Sequence, residues 1–167
     1  MKLEEISSLD RLQHRVAANQ LARWAMSMYR TFRDPPRIYK GSDYAYIVDA
    51  DIITVDRLPI DSRDAYRFLH ELMHAVGFRR RDTDRPDMEE LVAFIGAAAM
   101  IVDRTGGEFV IQLEGKREFD GAFDHDQAAS IAFSRVKWLT GSYPRCSVRI
   151  GDPKTLVLEP AEDGGDR

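Results

Sequence analysis

Apolar positions recur at helical spacing from about Ser7 to Phe32, through Leu9, Leu12, Val16, Leu21, Trp24, Met28 and Phe32. The pattern predicts a long N-terminal helix capped by Ser7 or Ser8. It should stop at Arg33-Asp34-Pro35-Pro36, because proline lacks an N–H donor and restricts the residue before it. Two β-branched and aromatic runs follow, Tyr44 to Val48 and Asp51 to Val55, with Asp49-Ala50-Asp51 as a turn between them, which predicts a hairpin. Asp61 or Ser62 can cap a second helix reaching about Phe78, with Gly77 placed to help end it. A short charged loop, Arg79 to Arg85, leads to Pro86, which suits the first turn of a third helix running to about Val102. Beyond Gly106-Gly107 we expect a strand over Glu108 to Leu113 and a helix over about His125 to Leu139. Short strands are expected over Ser147 to Ile150 and Thr155 to Leu158. Together these elements predict an α+β fold with a small, mostly antiparallel sheet.

Composition narrows the picture. No internal repeat or linker divides the 167 residues, so residues 1–160 read as one domain, followed by a disordered acidic tail at 161–167. Twenty-four basic and 28 acidic residues leave a net charge of −4, which argues against non-specific nucleic-acid binding by the surface as a whole. Cys146 is the single cysteine, excluding an intramolecular disulfide and a thiolate-rich metal site. The charged start has no signal-peptide core, and no apolar run is long enough to cross a bilayer. These features lead us to expect a cytoplasmic protein without a membrane partner. Oligomeric state leaves no mark on the sequence.

The candidate chemistry lies in the second helix, where residues 70 to 74 read HELMH. His70 and His74, one turn apart on one face, can point at one metal, and Glu71 sits where its carboxylate can act as a base beside it. Zinc usually takes three protein ligands and keeps a fourth position open. No third histidine follows at short spacing, since Phe78-Arg79-Arg80 comes after Gly77. The natural supplier is the third helix, through Glu89 or Glu90. Successive helical residues point a quarter turn or more apart, so only one should serve. Glu90 is preferred, because Ala93 and Ala97 extend from it as a small-residue strip that allows close approach of the two helices. Zinc held there would activate water and polarise a carbonyl, and Glu71 would carry the proton to the leaving amine. The strand Asp51 to Val55 could border the cleft as an edge for an extended peptide.

The stretch from Tyr46 to Met100 resembles the zincin-like metallopeptidase domain of plasmid- and phage-borne antirestriction and polyvalent proteins. The resemblance runs through Asp51-Ile52-Ile53, Tyr66 and Leu69, HELMHAVG at 70 to 77, Arg81, and EELVAFIGAAAM at 89 to 100. The family's form is close to HELxHxTG, a loop arginine, then EELVAE and a small-residue run. It implies a gluzincin-type peptidase with His70, His74 and Glu90 as Zn2+ ligands, Glu71 as catalytic base, and a protein or peptide substrate. It also implies an origin in a bacterium, phage or mobile element. Phe94 departs from the pattern, standing where an acidic residue in related gluzincins supports a ligand histidine. Antirestriction members carry a preceding single-stranded-DNA-binding domain, whereas residues 1–40 here read as a helix and a proline stop, so the DNA-binding role does not carry over. A looser resemblance links the chain to phage-repressor-cleaving and radiation-response metallopeptidases. The rival expectation is a non-catalytic, zinc-containing antirestriction or anti-defence module that acts by binding.

Other residues carry weaker signals. Arg79, Arg80, Arg81 and Arg85 could meet an acidic substrate, but Asp82, Asp84 and Asp87 interleave with them and favour an internally paired loop. His125 could stabilise an oxyanion, though a helix-start or surface position is the plainer reading; Tyr66 is a similar candidate that more simply packs. Trp24, Met26, Met28 and Trp138 read as core-facing, and His14 as a surface residue.

Overall fold

In the computed structural model, residues 4–5, 19–83, 85–113, 124–151 and 154–161 are described. The predicted start of the first helix, His14 and the tail from residue 162 lie outside them. The elements run β1 (Glu4–Glu5), α1 (Gln20–Thr31), β2 (Arg37–Lys40), β3 (Ala45–Ile47), β4 (Ile52–Val55), α2 (Ser62–Arg80), α3 (Pro86–Thr105), β5 (Phe109–Gln112), α4 (His125–Thr140), β6 (Cys146–Gly151) and β7 (Thr155–Pro160). The class is α+β. The strands form two small sheets rather than one, a four-stranded sheet ordered β1-β2-β4-β3 and a three-stranded sheet ordered β5-β7-β6.

Local chemistry explains most element ends. Asn19, extended at φ −115° and ψ 117°, caps α1 by accepting from the Ala22 N–H, so the helix expected to run unbroken from Ser7 to Phe32 starts at Gln20; Asp61 caps α2 by accepting from the Asp64 N–H. Pro86 opens α3, and Gly106 closes it at φ 74°, a left-handed conformation that glycine adopts without strain. Gly77 does not end α2. That helix continues to Arg80, and Arg81 forms the left-handed cap, its N–H donating to the Gly77 carbonyl.

The expected hairpin is present, with Ala45 opposite Thr54 and Ile47 opposite Ile52. Its neighbour was not expected. Arg37–Lys40 forms β2 and pairs in parallel with β4, so the first sheet is mixed while the second is wholly antiparallel. Ile38 is the only buried residue of β2, too little for a period-two signal between flanking charges. This bears on the cleft: β4 lies inside the sheet with Ile53 and Val55 fully buried, and β3 is the edge strand beside it.

Helix α3 lies between two cores and contributes to both. Met26 and Phe32 pack with Ile53, Phe68, Leu69 and Leu72 on the side of the first sheet. Leu91, Val92 and Ile95 pack with Ala132, Leu156 and Leu158 on the side of the second. Trp24 and Met28 pack partly buried against the first core, whereas Trp138 is 40% exposed, its ring meeting Phe32 edge-on. Among the described residues, no helix is long and apolar enough to cross a membrane.

Candidate metal centre

Two adjoining helices, α2 and α3, supply the site. One turn separates His70 from His74, and Glu90 reaches them from the second turn of α3, where Ala93 and Ala97 are fully buried as a helix contact requires. His74 Nε2 lies 2.6 Å from Glu90 Oε1 and 3.0 Å from His70 Nε2, and His70 Nε2 lies 3.5 Å from Glu90 Oε1. A tetrahedral ion with bonds of about 2.0–2.1 Å holds its donor atoms roughly 3.3 Å apart, so this spacing suits a metal ion. Two nitrogens and a carboxylate oxygen, gathered within 4.8 Å of one another, could hold one.

Glu89 is not a rival for that position. It turns to the other nitrogen of the same imidazole, its Oε2 lying 2.8 Å from His74 Nδ1. An ionised carboxylate there accepts a hydrogen bond from Nδ1–H and directs Nε2 to the centre. Glu89 is in turn gripped by Arg135 through two bonds of 2.7 Å. Neither Arg135 nor the orienting role of Glu89 was foreseen from the sequence.

The two histidines differ. Burial holds the His70 pKa below the usual imidazole range, and its Nδ1 is buried without a hydrogen-bond partner among the described residues. Phe94 packs against the same ring, the two centroids 4.1 Å apart at 40°. The departure noted at Phe94 thus falls against the ring whose Nδ1 is unsupported. For His74, burial opposes the charged form, but hydrogen bonds to Glu89 and Glu90 outweigh it and raise the pKa to about 9. Those to His70 and His74 hold Glu90 well below the usual carboxylate range.

Glu71 lies beside this group, Oε1 4.0 Å from His70 Nε2. Burial pushes its pKa up to about 7. Its Oε2 accepts from the Tyr46 backbone N–H of β3 at 2.7 Å, so the edge strand fixes the carboxylate. The Tyr46 hydroxyl donates to Asp51 at 2.7 Å, and Arg79 donates to both Asp51 oxygens at 2.7 and 2.8 Å. A cleft of about 750 Å³ opens over the site, bordered by Ala45, Tyr46, Val48, Phe78, Arg81 and Thr83.

The remaining candidates fall elsewhere. His125 opens α4, 3.2 Å from Asp126, and does not line the cleft. Tyr66 is packed against Phe94 and Phe109. The loop arginines are paired in part as expected, Arg85 with Asp87 at 2.8 Å and Arg80 with Asp82 at 3.9 Å, but Arg79 reaches out of the loop to Asp51. Comparison with protein-family models, curated proteins and solved structures finds no match.

Proposed function

We propose that the chain is a zinc-dependent metallopeptidase of gluzincin type, hydrolysing a peptide bond in a protein substrate. One observation carries the reading: His70 Nε2, His74 Nε2 and Glu90 Oε1 converge beside a desolvated Glu71, in a cleft along an exposed strand edge. A two-histidine, one-carboxylate set with room for a further ligand suits zinc, which supplies Lewis acidity to the attacking water and the substrate carbonyl. Glu71, with a pKa near neutrality, is suited to take the proton from water and deliver it to the leaving amine. The Tyr46 N–H holds Oε2 and leaves Oε1 for that transfer. Edge strand β3 offers an extended peptide a place to align. The same reading, through the family resemblance, makes this a cytoplasmic protein of a bacterium, phage or mobile element.

Zinc content per chain comes first, measured on untagged protein purified without added metal. The Glu71→Gln variant should retain that zinc. Incubated with a library of proteome-derived peptides, wild-type protein should generate new N-termini and Glu71→Gln none; equal cleavage by both would remove Glu71 from the chemistry. A second reading, a non-catalytic zinc-containing binding module, is favoured by the unpartnered Nδ1 of His70 and by Phe94 packed against that ring. Stoichiometric zinc without any cleavage would support it.

A further inference from the structure

Helix α4 contributes no ligand to the metal centre, yet its Arg135 is fully buried. A guanidinium at 0% exposure is strongly unfavourable unless every donor is met. Here every donor is. Nε donates to Asp82 at 3.0 Å and Nη2 at 2.7 Å; Nη1 and Nη2 each donate to Glu89 at 2.7 Å; Nη1 also donates to the Met73 carbonyl at 3.2 Å. These contacts use all five N–H groups of an arginine. Space for the head group comes from Gly77, where a Cβ would collide with the Arg135 Cζ and both Nη atoms. A glycine inside a buried helix and an inward-facing arginine on another helix thus have one explanation.

Neutralising Asp82 would not require Glu89. Glu89 Oε2, however, accepts from Arg135 Nη1 and stands 2.8 Å from His74 Nδ1. The paired bonds to a rigid planar fork fix the rotation of the carboxylate, which otherwise has a partly exposed side toward solvent. We propose that Arg135 is a positioning residue of the metal centre. Through the relay Asp82–Arg135–Glu89–His74 it fixes the imidazole with Nε2 aimed at the ion, which makes His74 the preorganised ligand and His70, against Phe94, the yielding one. This role rests on His70, His74 and Glu90 holding a metal.

Three variants test it, with zinc affinity from chelator competition, the visible spectrum of the Co2+-substituted protein, and the melting temperature in chelator as readouts. Arg135→Lys keeps the charge but cannot span two carboxylates as a fork. It should lower zinc affinity by about tenfold or more and change the Co2+ spectrum. Glu89→Gln should do the same, and the double variant should be no worse than Glu89→Gln alone, since both break one relay. Asp82→Asn lies three contacts away from His74. It should weaken zinc binding about threefold or more, beyond any change in the melting temperature, and it carries the test if Arg135→Lys does not fold. Folded variants with unchanged affinity and spectrum, or losses that simply add, would overturn the relay while leaving the peptidase reading intact. Wild-type protein that takes up neither zinc nor cobalt would overturn the metal centre and the relay with it.

Discussion

His74 and Glu90 show how much one side chain can decide. By helix spacing Glu89 and Glu90 compete for one role, but they take opposite nitrogens of a single imidazole, Glu89 on Nδ1 and Glu90 on Nε2. His70 has no such support. Its Nδ1 is buried without a partner among the described residues and Phe94 packs on the ring, so nothing steadies the imidazole from its far nitrogen. A carboxylate at position 94 should therefore tighten the site: Phe94→Glu is expected to raise zinc affinity by about tenfold. The melting temperature in chelator should fall, because the ring also stacks on Tyr66. Chelator competition decides the matter, and unchanged or weaker binding would mean that His70 is already held well enough by its neighbours. The residue missing from EELVAF was visible in the sequence; the unpartnered nitrogen of His70 was not.

The site exists because α2 and α3 approach closely, and that approach depends on small residues. Gly96 faces Met73, and a Cβ there would lie 2.5 Å from its Sδ and 2.9 Å from its Cγ. Met73 is fully buried and has little room to withdraw. Alanine would improve helix propensity by about 1 kcal/mol, but overpacking of a tight core costs about 1–3 kcal/mol. Gly96→Ala should therefore lower stability by roughly 1 kcal/mol on balance, measurable in urea unfolding; a more stable variant would show that the helices separate without strain. At this scale, helix positions were legible because apolar period and caps are local. Strand order was not. Arg37–Lys40 carries one buried residue, Ile38, yet β2 lies beside β4, which moves Asp51–Val55 from the expected edge to the interior and leaves β3 along the cleft.

For the whole molecule, a metal held by His70, His74 and Glu90 would join α2 to α3, with α4 tied to both through Arg135. Binding to the folded state alone stabilises by about 4 kcal/mol at a thousandfold excess over Kd. Zinc added to chelator-stripped protein should raise the melting temperature by several degrees, and Glu90→Ala should remove most of that rise. A wild-type melting temperature indifferent to zinc would argue against a folded-state site.

What the sequence determined alone was whatever depends on neighbours along the chain. The four-residue spacing of His70 and His74 places both on one helical face, and capping at Asp61 and the turn at Asp49–Asp51 are equally local. The β-branched and aromatic runs Tyr44–Val48 and Asp51–Val55, with a turn between them, predict a hairpin without fixing which strand forms the edge. Tertiary structure decided the rest: that Glu90 meets the histidines while Glu89 turns behind them, and that Tyr46 steadies Glu71. It also decided that Arg135 reaches Glu89 from 46 residues away. Those relations follow from how α3 and α4 pack on α2 and how β2 orders the sheet. The balance of burial and pairing that sets such packing is summed over the whole chain, so no local pattern encodes it.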